Sequence, residues 1–305
     1  MPKFEPGYRK LLASGELAKR AETAWGRLAE CRLCPRDCGV NRLQGKRGRC
    51  GIGAKARVSS FGPHFGEEDV LVGSGGSGTI FLTSCSLLCN FCQNYDISHM
   101  AANGEEMDDG ELAAVMLGLA RRGCHNINFV TPTHAVPQIL RALVVAAEKG
   151  LDVPLVYNSS GYDRVETLRL LDGVFDIYMP DFKFWDPAVA ADLCDAPDYP
   201  EAARAALEEM HRQVGVLATG EDGVARRGVL VRHLVMPEGL AGTAEAMRFL
   251  AERLSPETFV NVMAQYRPYA SAHTDPRMDR RITPEEYREA LDAASRAGLK
   301  RVARQ

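Results

Sequence analysis

The chain has 305 residues, of which 46% are apolar and 25% charged, a soluble globular composition that excludes disordered, collagen-like and coiled-coil chains. With 37 Lys and Arg against 40 Asp and Glu the net charge is -3, so there is no general electrostatic reason to expect nucleic acid or an anionic membrane as the main partner. The length suits one large α/β domain with an appendage, or two ordinary domains. The polar opening Met1–Lys10 is interrupted by Pro2, Pro6 and Gly7 and lacks the apolar core of a secretory signal. The longest apolar stretches, such as Ala113–Ala120, fall short of a membrane span. A cytoplasmic protein with no membrane partner is the expectation. Nine cysteines, sparse and odd in number, point to metal or redox chemistry in a reducing compartment rather than to a disulfide scaffold.

Residues 1–72 form an expected N-terminal extension, with one helical stretch (Gly15–Glu30) and then a Gly-rich, basic segment carrying Cys31-x2-Cys34-x3-Cys38-x11-Cys50. Four thiols are the full complement for a closed metal centre, either zinc or iron-sulfur. Eight cations (Arg32, Arg36, Arg42, Lys46, Arg47, Arg49, Lys55, Arg57) stand against Asp37 within positions 31–57. They can compensate an anionic thiolate centre. The spacing does not match the ferredoxin run, so reduced free thiols remain an alternative, as does a zinc knuckle docking an acidic partner or RNA.

From about Val70 the pattern changes, and residues 73–305 read as one domain. Gly73-Ser-Gly-Gly-Ser-Gly78 matches G-x-G-x-x-G, but it leads into a strand-like run instead of opening a helix, so it is expected to be a turn and not a dinucleotide site. Six β-rich runs follow: Thr79–Thr83, Ile127–Thr131, Leu155–Ser159, Phe175–Lys183, Gly228–Val235 and Phe259–Tyr266. Between them, Leu112, Val115, Met116 and Leu119, and later Met247, Leu250, Ala251 and Leu254, follow the spacing of a core-facing helix. Asp108 with Glu111, and Thr283 with Glu286 behind Pro284, fit capping boxes. Strands alternating with helices imply a parallel sheet with right-handed crossovers and ligand groups at the C-terminal strand ends. Cys124 and Cys194 stand alone and are expected to be small core residues.

Directly after the first run, Cys85-x3-Cys89-x2-Cys92 offers three thiols in one compact loop. A structural zinc site or a ferredoxin cluster takes four donors. Three leave a position open for substrate.

This loop, with the six β/α units after it, resembles the radical S-adenosylmethionine (SAM) superfamily. The run Gly76–Cys85 continuing to Cys92-Gln-Asn94, together with Asn128-Phe-Val-Thr-Pro-Thr-His134, is similar to the pyruvate formate-lyase-activating-enzyme homologues known as the PflX group. The resemblance spans about residues 31–300. It implies an α/β fold of the partial (β/α)6 TIM-type barrel kind with a cysteine-rich N-terminal extension. It also implies a [4Fe-4S] cluster on Cys85, Cys89 and Cys92, with SAM chelated at the free iron. Reductive cleavage would give a 5'-deoxyadenosyl radical for hydrogen abstraction, with an electron donor such as flavodoxin or ferredoxin. Activation of a glycyl-radical enzyme is the first reading. Radical modification of a small molecule or peptide is the second, and a non-catalytic iron-sulfur carrier or binding module the third.

For SAM the resemblance implies Phe91 bordering the adenine and Asp181 with Lys183 at the fourth run, the lysine placed for the carboxylate. Asn94, Thr131, Asn158, Arg232 and Gln265 are further candidate cofactor contacts. Residues two apart on a strand share a face, so Asn158 and Ser160 belong together, while Arg232 and His233 point to opposite sides; Arg232 is taken as the inward one. The Gly-Gly-Glu-like motif of many superfamily members is absent from Thr131-Pro-Thr-His134, and Arg267 stands where sister activators have histidine. Thr133 serves either the cavity or the next helix as a cap, and His134 either the cavity or the surface. Trp185–Pro200 is read as a loop bordering the opening or simply connecting elements. The sequence names no substrate.

Overall fold

The computed structural model describes residues 4–304; the part of the polar opening on Met1–Lys3 lies outside the described residues. Among the described residues the strands are β1 (Ala56–His64), β2 (Ser77–Leu82), β3 (Glu105–Met107), β4 (Ile127–Val130), β5 (Leu155–Ser159), β6 (Ile177–Pro180), β7 (Ala218–Thr219), β8 (Ala225–Leu234), β9 (Phe259–Met263) and β10 (Arg301–Arg304). They make one sheet in the order β10-β9-β8-β6-β5-β4-β2-β1-β3, with β7 beside β8. Every neighbouring pair from β2 to β10 along that path is parallel. Parallel neighbours need long crossovers, and helices fill them. The result is a mixed α/β fold on a parallel sheet. β1 pairs antiparallel with both β2 and β3, so the sheet begins before residue 73.

The helical face carries the main core. Leu112, Met116 and Leu119 from the helix Asp109–Arg121, Ile139, Leu140 and Leu143 from Val136–Glu148, and Leu17, Ala21 and Ala24 from Glu16–Gly26 are all buried there. Each large aliphatic side chain among them contributes roughly 1.5–3 kcal/mol. The helix starts use the two capping boxes. Asp108 Oδ1 accepts from Glu111 N at 2.9 Å, and Thr283 Oγ1 accepts from Glu286 N at 3.2 Å, with both glutamates returning the bond.

The opposite face holds a smaller core of Val156, Ile177, Met179 and Leu230, covered by Leu71 from the short helix Asp69–Val72. Following the same face two residues further along each strand reaches Asn158, Asp181 and Arg232. The pleat alone therefore collects these three polar side chains where the apolar filling stops.

The fourth run is shorter than its sequence suggests, because strand geometry ends at Pro180, leaving Asp181 as an isolated bridge to Arg232. Trp185–Pro200 is not a loop: Pro187 begins a helix to Cys194 capped by Asp186, and Tyr199 starts the next helix, with Pro200 in its first turn. A proline there loses nothing, since the first turn has no amide partners. Gly73–Gly78 links the short helix to β2 and opens no helix.

Candidate active site

The cysteine loop leaves β2 through Ser84 and Leu88, both held at positive φ (75° and 58°). Such conformations cost of order 1 kcal/mol or more each for non-glycine residues and persist only where neighbours enforce them. Here Ser84 N donates to Ile97 O at 2.6 Å, and Arg36 donates from Nε to Ser86 O at 2.9 Å and from Nη2 to Leu87 O at 2.8 Å.

Donors already point at the sulfurs: Leu87 N lies 3.3 Å from Cys85 Sγ, and Ser98 Oγ lies 3.2 Å from Cys92 Sγ. Burial pushes the Cys85 thiol up to about 12 and also raises Cys92. Cys89 is raised chiefly by a hydrogen-bonded contact with Cys194, then by burial. Any metal bound there must displace these thiol protons, so binding would release protons and depend on pH.

The three cysteines open into a cleft of about 200 Å³. Phe91, Asn94, Thr131, Asn158, Asp181, Lys183, Arg232 and Gln265 all line it. The sequence candidates thus come together in one place from the cysteine loop and the ends of β4, β5, β6, β8 and β9.

Asp181 is the electrostatic centre. Its Oδ2 lies 2.6 Å from Lys183 Nζ, and its Oδ1 accepts from Arg232 Nε at 2.9 Å. Arg232 Nη2 also donates to Asn158 Oδ1 at 2.8 Å, and its Nη1 lies 4.0 Å from Glu67 Oε2. Burial alone would raise Asp181, but the two cations outweigh it and hold its carboxyl below the usual range. Burial alone would lower Lys183, yet Asp181 and Cys89 leave it raised and firmly charged.

Tyr199 fixes this array from behind. Its hydroxyl accepts from Lys183 N (2.8 Å) and shares its one proton between Ser160 O (3.0 Å) and Asp181 O (3.1 Å). Gly161, at φ 76°, lies so close to Asp181 O that a Cβ would overlap the carbonyl.

Several expectations resolve differently. Thr133 caps nothing; its hydroxyl donates to Asp163 Oδ1 at 2.7 Å, a buried carboxylate that also accepts from Tyr157 and Ser159 and ties β4 to β5. His134 lies neither in the cleft nor on the surface but is 2% exposed beside the N-terminal cysteines. His233 faces away from Arg232 and bonds Phe182 O and Thr243 Oγ1, its pKa lowered to about 4 by burial. Phe91 lines the cleft while packing edge-on to Phe184 at 5.8 Å. Arg267 does not line the cleft.

The contact of Cys194 with Cys89 and the Glu67 charge beneath Arg232 were not anticipated. The pairing of Glu67 with Arg232 leaves no sequence signal. Nor does the approach of Cys194 to Cys89.

Cys31, Cys34, Cys38 and Cys50 line a separate, much smaller pocket with Arg36, Arg42, Ser86 and His134. Among the described residues, no three His, Cys, Asp or Glu side chains converge as ligands of a single metal ion. A zinc centre takes all its donors onto one ion, whereas a cubane takes one thiolate per iron corner. Three thiols in one cleft, with further polar groups for a ligand on the remaining corner, fit that cofactor.

No protein-family model matches the chain. Over 294 residues it is 34% identical to the uncharacterized protein MJ0674 of Methanocaldococcus jannaschii, covering 92% of this chain and 78% of that protein. Among solved structures it is similar to a radical SAM methyltransferase from Sphaerobacter thermophilus, with a TM-score of 0.50 and 18% identity, covering 74% of this chain and 66% of the methyltransferase. At that identity the likeness is one of fold. Among the described residues no helix is long and apolar enough to cross a membrane.

Proposed function

The chain belongs to the same family as the Methanocaldococcus jannaschii protein MJ0674, and we propose that it is a radical SAM enzyme. The observation that carries this reading is the convergence of Cys85, Cys89 and Cys92 with Asp181, Lys183 and Arg232 on one cleft. Cys85, Cys89 and Cys92 would hold a [4Fe-4S] cluster, which when bound supplies the electron that splits the sulfonium of SAM into methionine and a 5'-deoxyadenosyl radical.

The chain's own residues supply binding and exclusion. Lys183, charged and anchored by Asp181, is the group for the SAM carboxylate. Asp181, with both oxygens already engaged, keeps Lys183 and Arg232 apart and oriented. Asn158 and Thr131 offer neutral donors and acceptors at neighbouring strand ends, and Asn94 and Gln265 do so at the rim. Phe91 would border the adenine. Leu82, Leu88, Val130, Leu234 and Met263 give the cleft apolar walls, which keep water from a reactive radical.

Abstraction of hydrogen from a glycine of a partner enzyme is the substrate reading we favour, on the support of the Gly76–Asn94 and Asn128–His134 runs. A small one-electron protein such as flavodoxin or ferredoxin would serve as donor. The test is anoxic reconstitution with iron and sulfide, then SAM and dithionite. We expect 5'-deoxyadenosine above a Cys89→Ala control, and deuterium transfer into it from a glycine-labelled partner. S-adenosylhomocysteine without 5'-deoxyadenosine would overturn the reading in favour of polar methyl transfer.

A further inference from the structure

The N-terminal cysteines sit around an electrostatic anomaly. Arg42 is 1% exposed, yet none of its partners is a carboxylate. Nε and Nη2 donate to Gly53 O at 3.0 and 2.7 Å, and Nη1 donates to His134 O at 2.8 Å and reaches Cys31 Sγ at 3.8 Å. Among the described residues no ion pair satisfies it. A guanidinium taken out of water without a counter-charge is costly. The groups beside it able to become anionic are the thiols of Cys31, Cys34, Cys38 and Cys50, which line the same cavity.

Further groups lining that cavity are short of partners. Ser86 Oγ and His134 Nδ1 are buried and make no hydrogen bond. Arg49 N already points at Cys38 Sγ, 3.4 Å away. Gly48 is pressed against Cys38 so closely that an added Cβ would lie 2.8 Å from its Sγ, which leaves no room for a side chain on that side. Orphaned polar groups and a naked cation around four thiols describe the lining of an anionic sulfur-rich centre, whose sulfurs accept hydrogen bonds.

We propose that Cys31, Cys34, Cys38 and Cys50 hold a second, fully protein-ligated [4Fe-4S] cluster, with buried Arg42 as its counter-charge. Four thiols lining one pocket with Arg42 are the full complement for a closed cluster, and zinc on the same thiols is the alternative that the test separates from it. The centre stands against the back of the first cysteine loop: Ser84 Oγ donates to Cys50 O, and Arg36 reaches the carbonyls of Ser86 and Leu87 from between Cys34 and Cys38. The inference is independent of the fate of SAM.

The test counts iron in the full-length chain reconstituted without oxygen. Wild type should hold about eight iron and eight sulfide per chain, and the C85A/C89A/C92A variant should keep about four with a reduced-cluster EPR signal. The C34A/C50A variant should lose those four and keep the others. Arg42→Gln should lower the reduction potential of the N-terminal centre, read in the C85A/C89A/C92A background. Should C34A/C50A fail to fold, Mössbauer quantitation of wild type decides between four and eight cluster irons. About four iron in wild type, zinc in the triple variant by mass spectrometry, or four N-terminal thiols freely alkylated in the reconstituted chain would each overturn the proposal.

Discussion

Asp181→Asn removes the one negative charge set between Lys183 and Arg232, and the geometry sets its size. The carboxylate lies 2.6 Å from Lys183 Nζ and 2.9 Å from Arg232 Nε, with side-chain exposures of 14% for Asp181, 17% for Lys183 and 20% for Arg232. Breaking a fully buried pair costs roughly 3–5 kcal/mol. Residual exposure to the cleft screens the two cations and the amide keeps one acceptor, so the expected loss is about 2–3 kcal/mol. Lys183→Met, which leaves Asp181 its arginine, should cost about 1 kcal/mol, and the double variant should recover about 1 kcal/mol relative to the sum of the singles. Equilibrium urea unfolding of the full chain under anoxia, with unchanged m, reads all three. The pH dependence has a fixed sign. The folded pKa of Asp181 is lowered, so its contribution is full above the ordinary carboxylate value and fades as pH falls through the folded one; wild type and variant should converge in acid. A variant within about 0.5 kcal/mol of wild type, or strict additivity in the double variant, would refute the central role of Asp181.

Asp176 gives the opposite sign: burial raises its carboxyl to about 7, with Oδ1 accepting from Gly7 N at 3.0 Å and Oδ2 unpartnered. Wild-type stability should therefore fall as pH climbs from about 4 to about 7, by up to about 4 kcal/mol, and Asp176→Asn should flatten that slope in urea titrations at pH 5 and 8. Gly161→Ala meets both a positive φ and the Asp181 carbonyl, and should cost roughly 3 kcal/mol while weakening SAM binding in equilibrium dialysis. Arg36→Met removes donors from the carbonyls of Ser86, Leu87, Cys194 and Asp195; we expect a loss of about 2–3 kcal/mol and faster loss of cluster absorbance in air.

The parallel strands were legible because buried central strands are apolar runs, and the site because polar residues interrupt those runs at a period of two. That reasoning pairs Asp181 with Lys183 and Asn158 with Ser160 within their own strands; that Asn158, Asp181 and Arg232 share one face depends on the register of the sheet. The edges were not legible. β1 carries Phe61 half exposed and Pro63, and β3 is Glu105–Met107, so neither shows the burial pattern that marks a strand. β10, with arginine at both ends, gives no apolar run. Trp185–Pro200 misled because prolines punctuate helices at their starts as well as loops. A core position for Cys194 agrees with its burial; its approach to Cys89 depends on the end of the helix Pro187–Cys194 packing on the cysteine loop, where Asn90 N donates to Leu193 O at 2.9 Å, and leaves no local trace.

The central claim is an iron held by cluster sulfides and by SAM, not by protein. Electron-nuclear double resonance on the reduced C34A/C50A chain with SAM labelled by nitrogen-15 at its amino group measures this directly. A hyperfine coupling from that nitrogen to the cluster is the predicted result. No coupling, with four thiolates on the cluster and Cys194 as the fourth, would contradict it.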